Sequence, residues 1–144
     1  MTTDASRAAR ALVAYAALRT GAAVGDFFVQ TDHQAKHKDE KTPEGRKALA
    51  AHALTYGATQ GVLLIAANRA LGTNIRPARI VQAVAFSTLT HAFIDHRWPI
   101  KKAAKTLKKE KFHDMAPPLG GAFHLDQSAH HLMEAAASLI VARD

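Results

Sequence analysis

Apolar residues recur every three or four positions along most of this chain, the period of a helix that turns one face inward. Four segments carry the pattern. The first runs from about Ala5 to Lys36, and Thr3, Asp4 and Ser6 offer oxygens to cap its first amides. A charged, turn-rich stretch, Lys38–Gly45, follows, punctuated by Pro43 and Gly45. The second segment spans roughly Arg46–Leu71 and stops at Gly72. The third begins at Pro77, a residue suited to a first helical turn, and runs to about Arg97 before Pro99. A long basic connection, Pro99–Gly121, leads to the fourth, Ala122–Ala142. Strand-like alternation is missing, and alanine and leucine dominate the β-branched residues. The pattern predicts an all-α, compact, four-helix bundle-like single domain over residues 1–144.

Polar residues interrupt the apolar stripes at similar levels. The third segment reads Val81, Val84, Thr88, His91, Asp95, and the fourth Phe123, Asp126, His130, Met133, Ala137, Ile140. The second reads Leu49, His52, Tyr56, Thr59, Leu63, Ala66. In the first, Asp26, Gln30, His33 and His37 follow Leu12 and Tyr15. With a rise of about 1.5 Å per residue and antiparallel neighbours, one region of the bundle gathers Asp26, His52, His91, Asp95, Asp126 and His130. Burying such groups together requires pairing, protonation or a metal. His-x-x-x-Asp and Asp-x-x-x-His place both groups on one helix face, one turn apart. Facing pairs of this kind can offer nitrogen and oxygen ligands to Zn²⁺, Mn²⁺ or Fe²⁺. Taken singly, each pair also reads as a hydrogen bond locking two helices together.

Other polar features carry less. Gln127, His131 and Glu134 form a second line on the fourth segment and read as a wet face; His33 and His37 read as solvent-exposed. His113-Asp114 is similar to a metal-phosphohydrolase doublet but falls in a Pro-rich connection rather than on a helix. Trp98 and Phe112 are expected to anchor that connection. Lys101, Lys102, Lys105, Lys108 and Lys109 gather largely on one helical side. They form either a solvated face or a grip on phosphate, from a substrate or a nucleic-acid backbone.

Composition sharpens this picture in three ways. Cysteine is absent, which excludes disulfide scaffolds, thiolate metal sites and thiol catalysis, and suits a reducing cytoplasm. Lysine and arginine number 19 against 12 acids, a net +7 that favours anionic partners. Nine histidines are a large share for this length. No secretory signal is visible. The most apolar stretches, Ala48–Ala67 and Ile80–Ile94, are broken by polar residues and read as buried helices of a soluble protein.

Four motifs carry a family resemblance. Gly25-Asp-Phe-Phe-Val-Gln-Thr-Asp32 with Lys36, Ala51-His-Ala-Leu-Thr-Tyr56, Thr90-His-Ala-Phe-Ile-Asp95 and Leu125-Asp-Gln-Ser-Ala-His-His131 occur in this order. Together they resemble the domain-of-unknown-function family 3307 of bacteria and their phages, over about residues 20 to 140. That family often has a histidine four residues before the Asp–Phe pair, where this chain has Ala22. The family name implies no activity. The spaced His and Asp on apolar helices are also similar, as a pattern, to membrane-bound metal-dependent hydrolases.

The sequence therefore leads to a metal-dependent hydrolase of a phosphate ester or nucleotide. His52, His91, Asp95 and Asp126 are the expected ligands of a divalent ion (Zn, Mn or Fe). Asp26 and His130 do the proton work, and Lys101, Lys102, Lys105, Lys108 and Lys109 meet the phosphate. The expected compartment is the cytoplasm of a bacterium or phage-infected cell. A second reading is a basic, non-enzymatic nucleic-acid-binding regulator or phage accessory protein, with structural His/Asp pairs. A third is a protein of the membrane surface.

Overall fold

The structure, a computed structural model, describes residues 3–143. Those residues form seven α-helices and one π-helical turn, with no strand among them. They are α1 Thr3–Val24, the π turn Gly25–Val29, α2 Asp32–His37, α3 Pro43–Leu71, α4 Pro77–Ile94, α5 Trp98–Thr106, α6 Glu110–His113 and α7 Gly121–Val141. The four long helices pack in a ring, α1 against α3, α3 against α4, α4 against α7 and α7 against α1. The short helices α2, α5 and α6 gather at one end.

Local chemistry accounts for the boundaries. The first segment is not one helix to Lys36. After the π turn the chain opens at Gln30, and Thr31 caps α2 in a reciprocal box with Gln34. The second helix starts earlier than Arg46, because Thr42 accepts from the Gly45 amide at 3.0 Å and Pro43 occupies the first turn. Gly72 closes it with φ 59°. The third helix ends at Ile94, and the chain turns at Arg97, φ 60°, into α5. The expected long connection is mostly helical, as α5 and α6, and His113 ends α6. Capping by the Thr3 side chain lies outside the described residues.

The apolar core sits near the end that holds both chain termini and the α3–α4 turn. It comprises Ala14, Ala17, Leu18, Leu64, Ile75, Ile80, Ala83, Ala137 and Val141. Small residues let the helices approach closely. A Cβ on Gly21 would stand 2.7 Å from the Gln60 Cα, and one on Gly57 would collide with the Thr88 hydroxyl. The expectation that the apolar stretches are buried fails on their outer faces. Leu54, Val62 and Ile65 on α3 and Val81, Leu89 and Phe93 on α4 are exposed. Trp98 is half-exposed rather than a buried anchor and meets Phe93 edge to face at 5.4 Å; Phe112 is likewise exposed. By length and composition, two helical stretches, Asp4–Val29 and Pro43–Leu71, are long and apolar enough to cross a membrane.

The close crossings generate a test of the packing. Gly21→Val should cost about 1–3 kcal/mol by overpacking. Gly61→Ala, whose added Cβ meets nothing nearer than 4.0 Å, should hold or raise the melting midpoint, since alanine favours a helix interior by about 0.5–1 kcal/mol. Equal midpoints for the two variants in thermal denaturation would contradict the α1–α3 contact.

Candidate metal centre

Each polar side chain of the site is delivered by a distinct local device. Asp26 lies on the π turn, where the Gln30 amide donates to the Gly25 carbonyl at 2.9 Å. The wide turn re-aims the side chain relative to a continuing α-helix, a device common at functional sites. Gly25 lets this turn lie flush on α3, since a Cβ there would stand 3.2 Å from the Tyr56 Cα. His52 projects from α3 one turn before Tyr56. His91 and Asp95 share one face at the end of α4, and Asp126 and His130 share one face near the start of α7.

The tips of these side chains converge. His52 Nε2 lies 2.9 Å from His91 Nε2, 3.3 Å from Asp26 Oδ1 and 3.3 Å from Asp95 Oδ2. His91 Nε2 lies 3.7 Å from Asp26 Oδ1 and 3.1 Å from Asp95 Oδ2. Four ligand atoms about 2.0–2.1 Å from one tetrahedral centre would be separated by roughly 3.3–3.4 Å. The three separations within Asp26–His52–His91 and the three within His52–His91–Asp95 scatter around that value. The other Asp95 oxygen, Oδ1, stands 3.8 Å from His130 Nε2, which is 3.5 Å from Asp126 Oδ2. Two ligand triads result, Asp26–His52–His91 and His91–Asp95–His130, either of which could hold a metal ion. Asp26 Oδ1 is buried without a hydrogen-bond partner.

The surroundings hold the rings and balance the charge. Tyr56 stacks on His91 with centroids 3.7 Å apart and planes 16° from parallel. The far ring nitrogens, Nδ1 of His52 and His91, are buried without partners, so stacking rather than an orienting acceptor fixes His91. The Tyr56 hydroxyl donates to Glu134 at 3.1 Å and accepts from Gln60 Nε2 at 3.2 Å. Arg19 Nη1 reaches both Glu134 oxygens at 2.8 and 2.9 Å. The His52 and His91 rings, at 3.3 and 3.1 Å, and the Lys38 ammonium, 2.8 Å away, replace the hydration that burial removes from the Asp95 carboxylate.

A cavity of about 710 Å³ opens beside the cluster. Asp26, Asp95, Asp126 and His130 line it, so the buried groups have access to what enters. Phe27, Trp98, Ile100 and Phe123 form an apolar wall, and Lys38, Arg97 and Lys101 bring positive charge. Of the lysine run only Lys101 lines the cavity; Lys102, Lys105, Lys108 and Lys109 are exposed away from it.

Sequence reasoning missed several of these groups. Lys38 was read as part of a turn, yet it stands 3.4 Å from His52 Nε2. Glu134 is not on a wet face but fully buried on Arg19 and Tyr56. Its spacing of one turn from His130 was the available signal. His33 and His37 pair with Glu44 and Glu40 at 2.9 and 2.7 Å, outside the cluster. Ala22, where the family often has histidine, is fully buried and carries no ligand atom.

The Arg19–Glu134 pair gives a second test. Removing Arg19 leaves a buried carboxylate uncompensated, so Arg19→Met should destabilise by about 2–4 kcal/mol, discounted for the partial exposure of Arg19. Adding Glu134→Leu should recover much of the loss. Denaturant titration of the single and double variants measures both, and additive losses would argue against the pairing.

No curated protein and no solved structure matches the chain. The model of the family described as Protein of unknown function (DUF3307) matches residues 18–143, nearly its full length, and the chain belongs to that family.

Proposed function

We propose that the protein is a metal-dependent hydrolase of a phosphate ester with an apolar alcohol portion. The observation that carries this reading is the convergence of ligand atoms from Asp26, His52, His91 and Asp95, 2.9–3.7 Å from one another around the two imidazoles, beside a cavity with a cationic rim. These four residues are the favoured ligands of a Zn²⁺, Mn²⁺ or Fe²⁺ ion. The distances favour exchanging two expected roles: Asp26 joins the ligands, and Asp126 with His130, on the cavity side, moves the proton of the attacking water.

The ion would lower the pKa of a bound water and polarise a phosphoryl oxygen. Lys38, Arg97 and Lys101 would neutralise the remaining phosphate charge, and Phe27, Trp98 and Phe123 would receive the alcohol. Lys38 Nζ stands 2.8 Å from Asp95 Oδ2, an oxygen that would hold the ion, and would turn to the substrate phosphate when that oxygen is taken. The exposed lysines beyond Lys101 have no part in this chemistry.

The test is metal content by elemental mass spectrometry on protein purified without a metal-binding tag, with p-nitrophenyl phosphate hydrolysis measured on the same samples. The wild type should carry stoichiometric metal. His91→Ala and Asp26→Asn should lose it and lower turnover at least about 100-fold. Asp126→Asn should keep the metal and lose turnover. A wild type that neither carries nor takes up Zn²⁺ or Mn²⁺ would make the cluster a structural lock and favour the nucleic-acid-binding alternative.

A further inference from the structure

We infer that the ring of four long helices lies in a lipid bilayer, with α5 and α6 in one headgroup layer and the His/Asp cluster beneath them. This inference rests on the outer surface of the protein and stands whether or not the cluster binds a metal.

The distribution of residues is inverted relative to a water-soluble bundle. Large apolar side chains point outward from all four helices: Leu12 on α1, Leu54 and Val62 on α3, Leu89 on α4, Leu132 and Leu139 on α7 are 61–72% exposed. The interior instead holds His52, Gln60, His91, His130 and Glu134, and much of the rest of it is alanine. A soluble domain rarely exposes large apolar side chains on every one of its long helices. In lipid that surface needs no cover, and polar groups turn inward to find partners.

Charge is segregated in the same sense. No Asp, Glu, Lys or Arg occurs from Ala48 to Asn68 on α3, a rise of about 30 Å, or from Ile80 to Ile94 on α4, about 21 Å. Arg19 and Glu134, the exceptions on the equivalent parts of α1 and α7, are paired with each other. At one end of this belt stand Arg7, Arg10, Arg69, Arg76, Arg79 and Arg143, whose long side chains can reach water. At the other lies the lysine-rich segment of α5 and α6, interleaved with exposed Trp98, Leu107 and Phe112. Lysine beside aromatic and apolar side chains suits an anionic headgroup layer. The long helices have 22, 29, 18 and 21 residues, against the roughly 17–25 needed to span the hydrocarbon core, and the Asp4–Val29 and Pro43–Leu71 stretches are also apolar enough in composition.

The helix contacts point the same way. Gly21 on α1 and Gly25 at the start of the π turn approach Gln60 and Tyr56 on α3, and Gly57 on α3 approaches Thr88 on α4. Small residues at successive crossings, one pair of them in small-xxx-small spacing, are the means by which helices associate where water supplies no hydrophobic drive.

The experiment is fractionation of cells expressing the full chain, followed by reconstitution in vesicles of mixed neutral and anionic lipid. The protein should pellet with membranes, resist high salt and alkaline carbonate, and enter solution only with detergent. Trp98, the sole tryptophan, should be quenched more strongly by lipids brominated near the headgroup than by lipids brominated near the chain end. Val62→Lys and Leu89→Lys should reduce the membrane-inserted fraction at least about tenfold, whereas on a water-facing surface both changes would be neutral. Recovery of the wild type in the detergent-free supernatant would overturn the inference, whether as a monomer or as an oligomer covering these faces. So would release by salt or carbonate, or the absence of quenching. These outcomes leave metal content untouched, so failure here is distinct from failure of the hydrolase reading.

Discussion

Asp95 is a carboxylate with 4% exposure at the end of α4. Taking a carboxylate out of water costs several kcal/mol unless other groups replace its hydration. The replacements arrive from three helices and a turn: His91 from its own helix, His52 from α3, His130 from α7, and Lys38 from the segment after α2. Each must be brought to the same level, so the register of α3, α4 and α7 and the fold of the α2–α3 turn are tied to this one group. The π turn adds Asp26 to the opposite side of the two imidazoles. The ammonium offsets one of the two inward carboxylates and the imidazoles offer nitrogens to both, provided that the rings are held, which the Tyr56 stack on His91 begins to do.

That stack carries the constraint toward the middle of the bundle. Tyr56 leans on Glu134 and Gln60, and Glu134 on Arg19. The polar line therefore runs from the cavity into the bundle, linking α1, α3 and α7. It leaves little room for large apolar side chains inside, and the contacts are made instead by Ala14, Ala17, Ala83 and Ala137 with Leu18 and Leu64. The leucines and valines displaced from the interior occupy the outside. One cause, an interior given over to polar groups, thus explains both the close glycine crossings and the apolar exterior.

The sequence made the four long helices legible, because the 3.6-residue period, Pro77 and Gly72 are local signals that tertiary contacts had no reason to override. The residues that meet at the cluster were legible for a similar reason: His and Asp one turn apart stay on one face wherever the helix sits. The π turn was not legible, since Gly25–Val29 has the composition of a continuing helix and its extra residue is set by the contact with Tyr56. Nor was the inner face always identified. The stripe Val81–Val84–Thr88–His91 is buried at its His91 end, yet Val81 is 66% exposed. Periodicity marks a stripe as apolar without saying which side faces in, and it misleads when the outside is apolar too. Glu134 was missed by the same logic, because a carboxylate is assigned to water unless its partner, Arg19, more than a hundred residues away, is known.

The two ends of the ring differ in a way that bears on what the cavity admits. The terminal end has arginines and a close-packed apolar core but none of the cluster residues. The other end combines an apolar wall of Phe27, Trp98 and Phe123, a cationic rim of Lys38, Arg97 and Lys101, and the His/Asp tips between them. An apolar wall alone would suit a hydrocarbon, and a cationic rim alone would suit any soluble anion. Their juxtaposition would suit the proposed substrate, a molecule with one anionic and one apolar end. With the ring in a bilayer, the rim and the lysines of α5 lie at the depth of lipid phosphates, and such a molecule could enter sideways without crossing bulk water. On the proposed function the cluster would then sit where an amphiphilic phosphate ester presents its ester bond, and the apolar exterior and the buried polar site would serve the same encounter.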